Sequence, residues 1–129
     1  MRTVIFPTLE EALYLHQQLV NSFGGEDGVS DRGLLESALA RPRSGYYDSL
    51  SEKAAALMQS LLINHCFVDG NKRMGFALAA VFLKMNGYSV EVGAEEAEEF
   101  IVNDILGKHS GIDVISSWLE EFIEPANAV

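Results

Sequence analysis

Residues 51–87 read SEKAAALMQSLLINHCFVDGNKRMGFALAAVFLKMNG, and the fold turns on them. Behind Ser51, the side chains of Ala54, Leu57, Met58, Leu61 and Leu62 fall on one face at helical spacing, which predicts a helix to about His65. The pattern breaks from Cys66 to Gly70. It resumes at Asn71 as a second helix to Asn86, closed by Gly87. That second helix is apolar nearly all round, through Phe76, Leu78, Val81, Phe82, Leu83 and Met85, and such a helix belongs at the centre of a core.

Outward from this pair the chain stays helical. Thr8 and Glu11 have capping-box spacing just after Pro7, and Leu9, Leu13, His16 and Val20 then recur on one face until Gly24-Gly25 stops the helix. Residues 24–29 read as a loop, and Ser30 or Asp31 caps a short helix through Leu34, Leu35, Ala38 and Leu39, ended near Pro42. The polar, aromatic stretch 43–48 is an exposed loop or short hairpin. Tyr88 to Val92 alternates like one short strand, and two further helices span roughly 94–106 and 111–123. The last carries Ile112, Ile115, Trp118, Leu119 and Phe122 inward. The expected fold is all-α, a compact bundle of about six helices with a buried central helix and at most a minor strand.

The chain has 129 residues, which fits a single domain over 1–129 and leaves no room for two cores. Its 48% hydrophobic content excludes a disordered chain. Nineteen acidic against nine basic residues give a net charge of −10, which argues against sequence-independent nucleic-acid binding and against a polybasic membrane anchor. The apolar run at the amino terminus is too short for a signal peptide, and Phe76 to Leu83 falls far below the ~20 residues of a membrane span. One cysteine, Cys66, cannot form an internal disulfide. These features together predict a cytoplasmic protein.

The junction of the two central helices, His65-Cys66-Phe67-Val68-Asp69-Gly70-Asn71-Lys72-Arg73, is where the chain carries chemistry. The first turn of a helix leaves N–H groups unpaired and attracts anions. Gly70 lets the backbone approach a phosphate closely, and Lys72 and Arg73 add full charge at the same place. Asp69 could hold a Mg²⁺ that bridges phosphate oxygens, and His65 could take a proton from a hydroxyl nucleophile near neutral pH. These parts suit transfer of a phosphate-bearing group from a nucleotide to a hydroxyl. Taken singly they have plainer uses: Asp69 or Asn71 as a cap of the second helix, Lys72 and Arg73 as a solvated pair. Arg41 and Arg43 stand open between salt bridges and nucleotide contact. His16 and His109 read as structural, and the six acids between Glu91 and Asp104 as a solvated face.

The run His65-x-Phe67-x-Asp69-Gly70-Asn71-Lys72-Arg73 resembles the signature loop of the Fic/Doc superfamily. Gly33-Leu34-Leu35-Glu36-Ser37-Ala38-Leu39-Ala40-Arg41-Pro42 is similar to its death-on-curing branch, as are Phe82-Leu83-x-x-Asn86-Gly87 and the helix order, so the resemblance covers nearly the whole chain. It implies a compact helical bundle binding ATP and Mg²⁺. His65, Asp69 and Arg73 would be catalytic, with His65 the base and Asp69 the metal ligand. Gly70, Asn71, Lys72 and Arg73 would hold the phosphates.

Lys72 stands where the AMP-transferring branch usually has Gly, and Phe76 where it has a second Arg. Both departures are shared with the death-on-curing branch, whose known member phosphorylates a threonine of elongation factor Tu and halts translation. The added cation suits a triphosphate held in the reverse sense, with its γ-phosphate at the nucleophile. The resemblance thus implies a toxin kinase acting on a protein Ser/Thr hydroxyl, with AMP transfer or a non-catalytic binding relative as alternatives. The loop 43–48, with Tyr46 and Tyr47, is similar in position to the family's target-docking flap. The family's inhibitory Ser/Thr-x-x-x-Glu-Gly/Asn pattern is not completed after Ser22, Ser116 or Ser117, so the resemblance implies restraint by a separate antitoxin.

Overall fold

The computed structural model describes residues 3–126, which form six α-helices and one small antiparallel sheet. Helix α1 (Leu9–Phe23) begins in a complete capping box between Thr8 and Glu11 and ends at Gly24. Asp31 is the cap of α2 (Arg32–Ala40), accepting from the Leu34 N–H, and a 3₁₀ turn over Arg41–Arg43 follows. Helix α3 (Leu50–Asn64) starts one residue before Ser51, because Ser49 and Glu52 form the capping box there. Helix α4 (Asn71–Met85) follows after the signature loop.

The apolar circumference of 71–86 predicts α4 at the centre, but α3 takes that place. Nine of its residues are buried, five of them alanines or serines: Ser51, Ala54, Ala55, Ala56 and Ser60. Their short side chains let α2, α4 and α6 all approach α3 closely, whereas α4 turns Lys72, Arg73, Val81 and Lys84 to solvent. Gly75 of α4 marks the closest approach. A Cβ there would lie 2.9 Å from Leu62 Cγ.

Strand β1 (Tyr88–Val90) pairs antiparallel with β2 (Ile123–Pro125), Ser89 opposite Glu124. The partner strand takes over where α6 (Ile112–Phe122) stops, one residue short of the expected helix end. Helix α5 (Ala94–Glu99) also departs from expectation, since the chain widens into a π-helical segment over Phe100–Gly107. The wider turn buries Phe100, Ile101 and Ile105 together, and Phe100 stacks on Trp118 of α6 with ring centroids 4.3 Å apart. Among the described residues, no helix is long and apolar enough to cross a membrane.

Candidate active site

The loop between α3 and α4 is framed by two left-handed residues. His65 ends α3 at φ 48°, ψ 55°, and Gly70 precedes α4 at φ 76°, ψ 21°. A left-handed glycine is ordinary, whereas a left-handed histidine carries strain of about 1–2 kcal/mol. That corner reverses the chain so that the imidazole, which makes no hydrogen bond to another described residue, sits exposed at the rim of a cavity.

Between the two corners the loop is pinned by partners far away in sequence. Residues 24–31 run alongside it: Val29 pairs with Phe67 in a β-bridge, the Val68 N–H donates to the Gly28 carbonyl at 3.1 Å, and the Ser30 N–H to the Cys66 carbonyl at 2.8 Å. The Asn71 side chain folds back on Phe67, accepting from its N–H at 3.0 Å and donating to its carbonyl at 2.9 Å. Asn71 is therefore a brace for the loop and not a cap of α4. Phe67 is buried and stacks on the imidazole of His16, centroids 3.9 Å apart.

Asp69 is exposed, with each carboxylate oxygen already engaged once. Oδ1 accepts from the Gly70 N–H at 2.8 Å, and Oδ2 from the Glu26 N–H at 3.2 Å. Gly25 passes so close that a Cβ on it would lie 2.7 Å from Oδ2, and its φ of +107° suits glycine. The Asp69 carbonyl accepts from Nε2 of the buried His16 at 2.9 Å. Sequence reasoning leaves His16 and Gly25 outside the site, because both reach it across more than forty residues. The one local signal was a polar side chain on the apolar face of α1.

Helix α4 starts with no side-chain cap, so the N–H groups of its first turn keep their capacity for an anion. Lys72 and Arg73 are exposed beside that turn, and neither forms an ion pair among the described residues. The Arg73 guanidinium lies over the Phe23 ring, 4.2 Å from its centroid, which holds it at the end of α1. His65, Asp69, Gly70, Asn71, Lys72 and Arg73 all line one cavity of about 820 Å³. This volume lies within the roughly 300–1,000 Å³ usual for small-molecule sites. The cavity's far wall is mostly apolar, with Leu19 and Phe23 of α1, Ala97 of α5 and Ile101 and Leu106 of the π-helical segment, and Glu98 of α5 adds one carboxylate to it.

Other candidates fall elsewhere. Arg41 donates from Nε to Tyr47 Oη at 2.9 Å, and from a terminal nitrogen to Gln59 Oε1 and Ser60 Oγ, both at 2.9 Å. It thereby ties the loop 43–48 to α3, where it does not face the cavity. Arg43 lies over the ring of Phe6. Tyr46 stands out from that loop, 86% exposed. Cys66 is buried, and burial, helped by the nearby Asp31 carboxylate, pushes its thiol up, so it is a packing group rather than a nucleophile.

For Mg²⁺ the donor set is the test. No cluster of three or more His, Cys, Asp or Glu side chains that could hold a metal ion occurs among the described residues. A single exposed carboxylate beside an uncapped helix start fits magnesium, which usually keeps its waters and takes one or two carboxylates plus substrate phosphates.

The fold and the site together define a small helical domain that offers one braced loop, with an uncapped helix start and two exposed cations behind it. The chain belongs to the Fic/Doc family, whose model matches residues 6–83. It is 40% identical over 112 residues to the protein called Toxin Doc of Mycolicibacterium smegmatis, covering 81% of this chain and 85% of that one. It is also 33% identical over 93 residues to the protein called Protein kinase doc of Escherichia phage P1, covering 69% of this chain and 74% of that one.

Proposed function

We propose that the chain is the toxin of a toxin–antitoxin module and a protein kinase that moves the γ-phosphate of ATP to a Ser/Thr hydroxyl of a protein target. The observation that carries this reading is the cavity itself, where an unpartnered imidazole, a carboxylate and a cationic, uncapped helix start converge. The names Toxin Doc and Protein kinase doc, borne by relatives that match most of this chain, support it. The resemblance of the signature loop makes elongation factor Tu the first substrate to test, and a cytoplasmic site of action follows from such a target.

His65 accepts the proton of the acceptor hydroxyl. Its oxygen then forms a bond to the γ-phosphorus while the bond from that phosphorus to the β–γ bridging oxygen breaks, and ADP leaves with the electron pair. The first-turn N–H groups of α4, with Lys72 and Arg73, hold the phosphates and offset the charge that gathers on the bridging oxygen. Asp69 would hold Mg²⁺, which neutralises phosphate charge when bound. Arg73, kept in place by Phe23, offers a fork to two phosphate oxygens. The exposed Tyr46 and the loop that Arg41 anchors would meet the target peptide, and an antitoxin covering the cavity would supply restraint.

The test is transfer to purified translation factors from ATP labelled at the γ or the α position. Label on the protein from the γ position supports the kinase reading. Label from the α position alone overturns it in favour of AMP transfer, and no label with any factor, together with no Mg²⁺-dependent nucleotide binding, favours a non-catalytic relative.

A further inference from the structure

His16 is a buried titratable side chain that the proposed chemistry leaves unused, and it lies one hydrogen bond from the metal-facing residue. Only 2% of it is exposed. Its Nε2 stands 2.9 Å from the Asp69 carbonyl oxygen. A carbonyl can only accept, so Nε2 carries the proton and donates. The ring lies nearly parallel to Phe67 at an interplanar angle of 12°, so the same side chain grips the loop at two points. On the other side Nδ1 faces the exposed Asp27 carboxylate at 3.9 Å.

We propose that His16 is the positioning residue of this site: it sets the plane of the Asp69–Gly70 peptide and, through it, the direction of the Asp69 carboxylate. This rests on the kinase reading above. A trans peptide holds its C=O and N–H on opposite sides, and no cis bond occurs among the described residues. With the carbonyl drawn inward to His16, the Gly70 N–H points the other way, to Asp69 Oδ1. The second oxygen is then left to Glu26, whose backbone passes over it behind the close approach of Gly25. If the carbonyl loses its donor, the peptide plane is free to turn, and both carboxylate contacts shift with it. An apolar side chain could fill the space against Phe67, but it could not direct the plane. The choice of histidine on the face of Leu9, Leu13 and Val20 thus has a directional purpose beyond packing.

The test compares His16→Met, which has similar reach and no donor, with His16→Gln, whose side-chain amide can donate from about the same place. Two readouts are taken on the whole chain. One is the Mg²⁺ concentration giving half-maximal transfer, with kcat and KM for ATP. The other is native-state hydrogen exchange at the Glu26 and Val68 amides, which needs no activity. His16→Met is expected to raise the half-saturating Mg²⁺ by about 10–100-fold, the usual effect of losing a partner that orients a metal ligand. It should also speed exchange at Glu26 and Val68 by at least about tenfold while the α3 core amides stay unchanged, consistent with local and not global opening. His16→Gln should restore most of both. Unchanged Mg²⁺ dependence and exchange in His16→Met overturn the proposal. So does exchange that quickens equally everywhere, which marks plain packing, or a Gln variant whose loop exchanges as fast as the Met variant's. If the unaltered chain transfers no phosphate, the kinase reading fails while the exchange arm still decides whether His16 holds Asp69.

Discussion

Replacing His65 by glycine should make the protein more stable and inactive at once. The residue ends α3 in a left-handed conformation, φ 48° and ψ 55°, where glycine or asparagine is the usual choice. Removing the Cβ relieves about 1–2 kcal/mol of strain. Glycine returns about 0.5–1 kcal/mol of that through its greater freedom in the unfolded chain. The imidazole is exposed and makes no hydrogen bond to another described residue, so little else is lost. The net gain is about 0.5–1 kcal/mol, or roughly 2–4 °C in thermal midpoint for a domain of this size. His65→Ala keeps the Cβ and the strain, so it should show no such gain. Both variants should lose about 10²–10⁴-fold in phosphate transfer, the contribution of a positioned general base. Calorimetry of the three proteins beside a labelled-transfer assay reads both effects. A glycine variant no more stable than the alanine one refutes the strained corner, and a glycine variant with the original transfer rate refutes His65 as the base.

Three other outcomes follow from the packing. Gly75→Ala sets a methyl 2.9 Å from Leu62 Cγ at the crossing of α3 and α4, and should cost about 1–3 kcal/mol in urea unfolding; an unchanged midpoint would refute the close crossing. Arg41→Ala removes the ties to Tyr47, Gln59 and Ser60, and should cost about 1–3 kcal/mol while speeding amide exchange across 44–48. Unaltered exchange there would assign the loop's order to Lys53, which donates to the Tyr47 and Asp48 carbonyls. Burial raises the Cys66 thiol, so the folded chain keeps a proton that the unfolded chain gives up. Stability from this source is complete below the unfolded thiol's range and falls as pH rises above about 9 toward the folded value. Cys66→Ala should flatten that alkaline loss in urea midpoints, and a parallel decline in both proteins would place its origin elsewhere.

Much of this architecture is legible because its signals are local. Thr8 and Glu11, Asp31, Gly87 and the apolar periods lie within a turn or two of what they specify, and the six signature residues that line the cavity are within nine positions of one another. What escaped is of two kinds. Some features need a count of small residues, not of greasy ones. The alanines of α3 put it at the centre although α4 reads as apolar nearly all round, and Ser49 outcompetes Ser51 as cap because Glu52 lies at the right distance from it. Other features are non-local. The widening of the helix at Phe100, the three-residue strand at Ile123, and the reach of His16 and Gly25 to Asp69 depend on partners that no window of neighbouring residues contains.

The way α4 begins connects stability to function most directly. Asp69 and Asn71 flank Gly70 and are both good caps, and a side-chain cap there would be worth about 1 kcal/mol. Neither serves. Asn71 turns back to brace Phe67, while Asp69 is held between the Gly70 and Glu26 amides, so the first turn of α4 keeps its donors. The stability forgone at this helix start is replaced by clamps from distant segments: the bridge from Val29, the hydrogen bond from His16 and the cation–π contact from Phe23. These clamps fix the loop without consuming the groups that would meet a phosphate. A site arranged in this way is ordered before its ligand arrives, and its donors need no reorganisation when charge develops, which is the condition under which fixed dipoles lower a barrier most.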